Sequence, residues 1–522
     1  MAAGNNYTGD VIARLQEYFS SRTQWQRTLW RVGPAFALHE LIESAYGVQN
    51  GALSRAALRG HAQSVARMLG NNPAAGGQDS RRRLLQLLTC DLSSGGANYH
   101  ELDLWREDLE RNALGRWRTA VGAEQKPSRE QFARAIACEL FRHGFSAARL
   151  GPWIHHIRVG GDLVYEQDLV DRAMELIATE PRDHKVLLTF EKPLPSRIQR
   201  PPQARDAAEC SRWLLEHGFD RVRQHGGLLL EISARDRYAA AQIAADIADR
   251  LRARTSVGTR DKLRLHDVVF VAGHPTPIVA SRSRRAEVRA LEREQRLLDL
   301  DAGDNIDQAL ELLANLNTAP APVAAAAGWA AVESLLSGPG DEDKVITAER
   351  LANLVACSWP RAELTTIAWA RIKQLDTTDN RIAEELASFE TNRERAERVL
   401  TAIREEEPMG LVSLAERLAV QRMHKLTRAP RRELLAVREH AGDALRRLYR
   451  QRNLVVHGGL TAGFGLSAAL RTAAPLVGAG LDRVTHASLT SDRSPLEIAA
   501  RARLEVERAD MPDAPLLTRM LD

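Results

Sequence analysis

The sequence predicts a mainly α-helical chain with a small α/β domain set in its middle. Three observations carry this. Apolar residues recur at helical spacing over most of the 522 residues. The period shortens between about 183 and 280, where β-branched and leucine-rich runs appear. Then Thr318-Ala-Pro-Ala-Pro322 breaks the chain, and helical spacing resumes to the end. Four segments follow: a helical N-terminal region (1–182), an α/β domain (183–280), a helical connector (281–318) and an all-helical bundle (319–522). A chain of this length exceeds a single hydrophobic core.

Within 1–182, helices are predicted at Val11–Phe19, Ala35–Tyr46, Leu53–Leu69, Arg81–Leu88, Arg129–His143 and Gln167–Ala178. Breaks fall at Gly70–Pro73, Gly95-Gly96 and Lys126-Pro127. Trp25, Trp30, Trp105, Trp117 and Trp153 read as core packing rather than a ligand box. His155 and His156 are adjacent and cannot both face one ion, so they read as structural. In the α/β domain, Lys185–Phe190, Leu228–Ser233 and Leu263–Val271 read as strands, separated by helices Asp206–His217 and Tyr238–Arg254. No glycine-rich phosphate loop follows a strand, so nucleotide hydrolysis has no support there.

The connector reads as two charged helices, Arg284–Leu298 and Ile306–Asn315. The bundle follows as Ala324–Leu336, Ile346–Cys357, Arg361–Leu375, Arg381–Arg404, Leu411–Val420, Arg431–Val456 and Leu466–Val477.

Composition narrows the function classes. Net charge is +4, so there is no chain-wide nucleic-acid signature, although a local basic patch is compatible with it. Aromatic residues at 5% argue against a wide stacking surface for single strands. Arg outnumbers Lys 65 to 7, a bias that fits genomic base composition better than phosphate binding. Cys90, Cys138, Cys210 and Cys357 are isolated, which disfavours a disulfide framework, and none has metal-ligand spacing. The first residues carry no secretory pattern, and no run of 18 apolar residues occurs. The expectation is a soluble, cytoplasmic protein with no membrane contact, cofactor or metal.

One stretch concentrates chemistry: Arg452-Asn453-Leu454-Val455-Val456-His457-Gly458-Gly459. Upstream, Leu434, Leu435, Val437, Leu445, Leu448 and Tyr449 mark one apolar helix face, and the two glycines supply a left-handed stop. Arg grips phosphate through a planar, permanently charged fork, and His moves protons near neutral pH. Asn453, four residues before His457, shares its helix face and is placed to orient the ring. Spacing alone is weak, since about two Arg-x4-His pairs are expected by chance at this composition and the chain holds two. The other, Arg212…His217, lacks the Asn and the glycine stop. Along an ideal helix Arg452 and His457 point about 140° apart. They converge only where the helix end loosens or a partner subunit contributes. Arg450, seven residues before His457, is nearly aligned with it and is a candidate to assist or replace Arg452. The structural alternative has His457 simply capping its own helix.

An α-helical bundle with Arg-Asn-x3-His at the end of a long late helix resembles the HEPN superfamily. Trp329-Ala-Ala-Val-Glu333 resembles that family's first helix, and Ala348–Arg361 is similar to the segment that follows it in larger bacterial members. The resemblance covers about 320–490. It implies metal-independent RNA cleavage by 2′-hydroxyl attack, leaving a cyclic phosphate and a 5′-hydroxyl. Arg452 would bind the scissile phosphate, His457 would transfer protons and Asn453 would hold the ring or the RNA, with Glu333 in support. It further implies a homodimer or higher even oligomer through the bundle, with RNA as substrate. The expected role is a prokaryotic antiviral-defence, abortive-infection or toxin effector. Its N-terminal part would restrain the nuclease or meet a trigger or inhibitor protein. The competing reading is a non-catalytic protein that binds RNA or a partner.

Overall fold

The computed structural model describes residues 7–160, 165–194, 199–259, 262–279, 284–299, 303–341, 344–374, 381–460, 463–491 and 493–522. The N-terminal Met1–Asn6 and Leu375, which closes the predicted helix Arg361–Leu375, lie outside them. The chain is mainly helical with one small antiparallel sheet, as its periodicity predicts. No helix among the described residues is long and apolar enough to cross a membrane.

Two compact units divide the chain elsewhere than the composition shifts do. One gathers residues 1–18, 22–135 and 283–522; the other holds 19–21 and 136–282.

In the smaller unit, β1 (Arg182–Thr189), β2 (Ala204–Arg205), β3 (Gly227–Ala234), β4 (Val268–Val271) and β5 (Ile278–Val279) form a sheet in the order β2-β3-β1-β4-β5, antiparallel throughout. The second half of central β1, from Val186, is buried on both faces. Val186, Leu188 and Phe190 pack with Ala240, Ala244 and Ala248 of helix Arg237–Gly258, while Leu187 packs with Cys210, Trp213 and Leu214 of helix Ala207–Glu216. That alternation is the period of two expressed in three dimensions. The predicted third strand, Leu263–Val271, is shorter than expected. Only Val268–Val271 ladders, and Leu265 makes a single bridge to Phe190.

The larger unit is all-helical among its described residues. Val345–Ile372 runs through its centre against Pro430–Val456, Pro495–Glu507, Asn392–Arg404 and Leu466–Thr490. The core is built from Trp329, Leu351, Val355, Leu364, Ile367, Leu445, Leu448 and Leu481, with Leu470 and Val477 beside them. Pro360 was expected to separate two helices, yet the helix passes through it. Burial along both halves outweighs the one hydrogen bond a proline removes, a loss of about 3 kcal/mol. The predicted helix Arg381–Arg404 instead divides into Arg381–Ser388 and Asn392–Arg404, because Thr391 and Glu394 form a capping box that starts a new helix.

The connector departs most. Of Arg284–Leu298 only Ala290–Arg293 is helical. Tertiary partners claim the backbone ahead of it: Asn317 brackets Ala286 through both main-chain groups, and the Asp482 carboxylate accepts the Arg289 N–H at 2.7 Å. The α-helices Ala97–Val121, Ala147–Gly160 and Pro495–Glu507, and the single 3-10 turns Trp25–Arg27 and Pro73–Ala75, lie beyond those expected.

Candidate functional site

The motif helix, Pro430–Val456, begins at Pro430, where a missing N–H costs nothing, with Glu433 in the first turn favouring the dipole. Leu434, Val437, Leu445 and Leu448 are buried and Leu435 and Tyr449 partly so. The apolar stripe therefore faces the bundle, as read. The fully buried Trp329 ring lies 4.9 Å from that of Tyr449. This contact seats helix Ala321–Leu336 beside the last turns and brings Glu333 to the motif.

His457 is the C-cap, at φ −101° and ψ −29°, and its N–H bonds the Asn453 carbonyl at 2.9 Å. Of the two glycines expected to be left-handed, only Gly459 is, at φ +65°. Gly458 is required for space instead. A Cβ there would stand 2.7 Å from the Leu454 carbonyl oxygen and 3.1 Å from the Ala52 methyl.

Arg452 Nη1 lies 3.0 Å from His457 Nε2 and 2.9 Å from Asn453 Oδ1, and its Nη2 lies 3.9 Å from Glu333 Oε2. The four residues meet within one chain. His457 still bonds back to the helix through Asn453, so the offset between it and Arg452 is spanned by the long arginine stem. A guanidinium only donates, so Nε2 accepts, and the neutral ring carries its proton on Nδ1. Asn453 departs from expectation: its amide oxygen accepts from Arg452, while its link to His457 runs through the main chain. His457 is exposed and the side chains of Arg452 and Glu333 are about a quarter exposed, at 25% and 23%; Asn453 is buried. The tip is open to solvent.

Arg450 does not join it. It is only 8% exposed, and burial pushes its guanidinium down to about 10 against the pull of Glu40. Two residues before Arg452, it sits on the face covered by helices Pro34–Gln49 and Arg55–Leu69, where a polynucleotide has no access.

Those N-terminal helices supply residues that the sequence reading missed. Glu40 accepts from Arg447 Nε at 2.9 Å, both being buried, and Gln451 Nε2 donates to Glu43 at 2.8 Å. Ser64 donates to Asp443 at 2.6 Å, and Arg67 meets Glu439 at 2.6 Å. Leu454 packs on Ala52 and Leu53, one turn before His457. Beyond the motif, Glu43 accepts the Phe464 N–H at 3.0 Å, and the Phe464 ring stacks 3.8 Å from His39. Buried His61 touches Ser44 Oγ at 3.0 Å; burial first, then Arg450 and Arg447, hold its ring neutral. One signal was available. Asp443, Arg447, Arg450 and Leu454 recur at helical spacing, a second face too regular for a solvated surface.

The second Arg-x4-His pair and the other histidines read as structural. His217 stacks on Trp213 at 4.2 Å and contacts its carbonyl at 2.8 Å. His424 approaches Glu406 at 3.6 Å. His155 and His156 are exposed neighbours. Trp117 is buried and Trp25 stacks on Trp30, consistent with packing roles. All four cysteines are free. No group of three or more His, Cys, Asp or Glu among the described residues is placed to hold a metal ion.

Comparison with family models, curated proteins and solved structures returns no match to this chain. The resemblance to HEPN proteins therefore rests on the motif and its setting.

Proposed function

We propose that the chain is a metal-independent endoribonuclease whose reaction centre is the tip formed by Arg452, Asn453 and His457, with Glu333 in support. The observation that carries this reading is the 3.0 Å approach of Arg452 Nη1 to His457 Nε2 at a solvent-open helix end. It supports the reading because a guanidinium is suited to phosphate and an imidazole to proton transfer, and Asn453 and Glu333 lie within reach of the guanidinium.

In this mechanism the scissile phosphate draws the guanidinium of Arg452, which stabilises charge developing on the non-bridging oxygens. His457 Nε2, released from Arg452, takes the proton of the 2′-hydroxyl as its oxygen attacks phosphorus. The bond to the 5′-oxygen breaks, that oxygen leaves with a proton, and a 2′,3′-cyclic phosphate and a 5′-hydroxyl result. One tip offers one imidazole, whereas the step needs a base and an acid. Two copies about a two-fold axis would supply both, so a homodimer is the working form proposed. The setting proposed is the prokaryotic cytoplasm, in antiviral defence or as a toxin. The N-terminal helices that grip the motif helix would be the restraining part.

The test is RNA cleavage with chelator present, with end-group analysis of the products. His457→Ala is expected to lose about 10²–10⁴-fold in rate while keeping the helical signal and melting temperature of the parent. Unchanged cleavage by that variant would falsify the assignment. A parent protein that shifts RNA on a gel without shortening it would instead be the non-catalytic binder.

A further inference from the structure

Within the larger unit, the 24–26 stretch, the connector and helices Val345–Ile372 and Leu466–Thr490 border a cleft of about 1300 Å³. Most charges on its walls are matched. Arg289 meets Glu287, Arg293 meets Asp482, Glu294 meets His486 and Glu416 meets Arg27.

Arg361, Arg393 and Arg483 are different. All three line the cleft, and their Nη atoms converge on a single oxygen, Asp522 Oδ1, at 3.1, 3.1 and 3.4 Å. Three guanidinium forks therefore crowd one side-chain oxygen. A carboxylate has two oxygens for three forks. Arg483 shows the shortfall directly: its Nη2 donates to the Met520 and Leu521 carbonyls, but its Nη1 is buried without an acceptor. Burial and the neighbouring Arg361 lower the Arg483 guanidinium to about 10, against the pull of Asp522. A buried donor left unmatched is costly, and structures seldom tolerate one without a reason.

We infer that Arg361, Arg393 and Arg483 form a binding site for a phosphoryl group, in which the Asp522 carboxylate is the displaceable stand-in. A phosphoryl group carries about two negative charges at neutral pH. It also presents three terminal oxygens, one for each fork, which a carboxylate cannot. The indole of Trp369, 41% exposed, lines the same cleft and offers an apolar wall for whatever carries the phosphate. The inference stands apart from the RNA-cleavage reading, because it concerns neither His457 nor Arg452.

The experiment is calorimetric titration of the full chain with pyrophosphate and with ATP at low salt. It compares the parent, Asp522→Asn and Arg393→Ala. Arg393 is nearly half exposed, at 48%, so its loss leaves the core intact; thermal melts confirm folding of each variant. Pyrophosphate should bind the parent, bind Asp522→Asn several-fold more tightly, and bind Arg393→Ala about tenfold more weakly, the loss of one charge-assisted bond. Tighter binding of ATP would make the ligand a nucleotide; equal affinities would make it a bare polyphosphate, and either supports the site. Absence of binding to both parent and Asp522→Asn overturns the inference. So does an affinity that is the same in all three proteins.

Discussion

At the scale of single residues, the two arginines Arg450 and Arg452 show how little the residue type decides. Arg452 reaches solvent beside His457, while Arg450 is sealed under the N-terminal helices, where burial depresses its guanidinium to about 10. A buried cation without a dedicated partner is replaceable by an apolar side chain of similar length, often with a gain of about 1–4 kcal/mol. Arg450→Met should therefore melt at or above the temperature of the parent and cleave RNA at a rate within a few-fold of it. A fall of tenfold or more in cleavage with folding intact would return Arg450 to the site. Helical alignment with His457 was visible in the letters; which face the N-terminal helices would cover was not.

The element that decides the site's geometry is the end of helix Pro430–Val456. Two adjacent glycines there have different duties. Gly459 provides a left-handed turn at φ +65°, and Gly458 lets the helix end pass close to Ala52. Gly458→Ala would press a methyl group to 2.7 Å from a backbone oxygen that cannot move aside cheaply. Overpacking of this kind costs about 1–3 kcal/mol, and here it would also shift His457 from Arg452. The expected outcome is a lowered denaturation midpoint together with a cleavage loss larger than the stability loss explains. Equal stability of variant and parent would show the helix end to be looser than its geometry. The capping boxes Thr391…Glu394 and Ser494…Glu497 each open a helix. Both were legible as Thr-x-x-Glu and Ser-x-x-Glu; reading them would have located the break in 381–404 and the last helix.

At the scale of the whole molecule, a buried charge network binds the first residues to the bundle. Glu363 is fully buried, with Arg27 Nε at 2.9 Å and Arg422 Nη2 at 2.5 Å, and Arg27 also meets Glu416 at 3.0 Å. Burial alone would raise the Glu363 carboxyl, but Arg422 and Arg27 outweigh it and hold it at about 2, below its ordinary 4.5. Because the folded value is depressed, the stability it contributes is complete above about pH 4.5 and is lost as pH falls toward 2. Glu363→Gln leaves Arg27 and Arg422 short of a counter-charge. It should cost about 3–5 kcal/mol near neutral pH and flatten the decline in stability between pH 4.5 and 2. Urea denaturation across that range measures both. An unchanged acid limb would mean that other carboxylates govern it.

What the letters determined by themselves was whatever depends on neighbours in the chain. Helical spacing marked the bundle and its apolar stripe, alternation marked the small sheet, and Arg-Asn-x3-His with its glycines marked one tip out of two Arg-x4-His pairs. The tertiary structure decided which separate stretches share a core. It joined the first 135 residues, apart from 19–21, to the last 240, carried a helix through Pro360, undid most of 284–298, and buried Arg450 while leaving His457 open. Those outcomes turn on long-range burial and ion pairing, such as Glu40 with Arg447 and Arg27 with Glu363. Their energies match or exceed local propensity, and the periodicity of one helix does not name the distant segment that covers it.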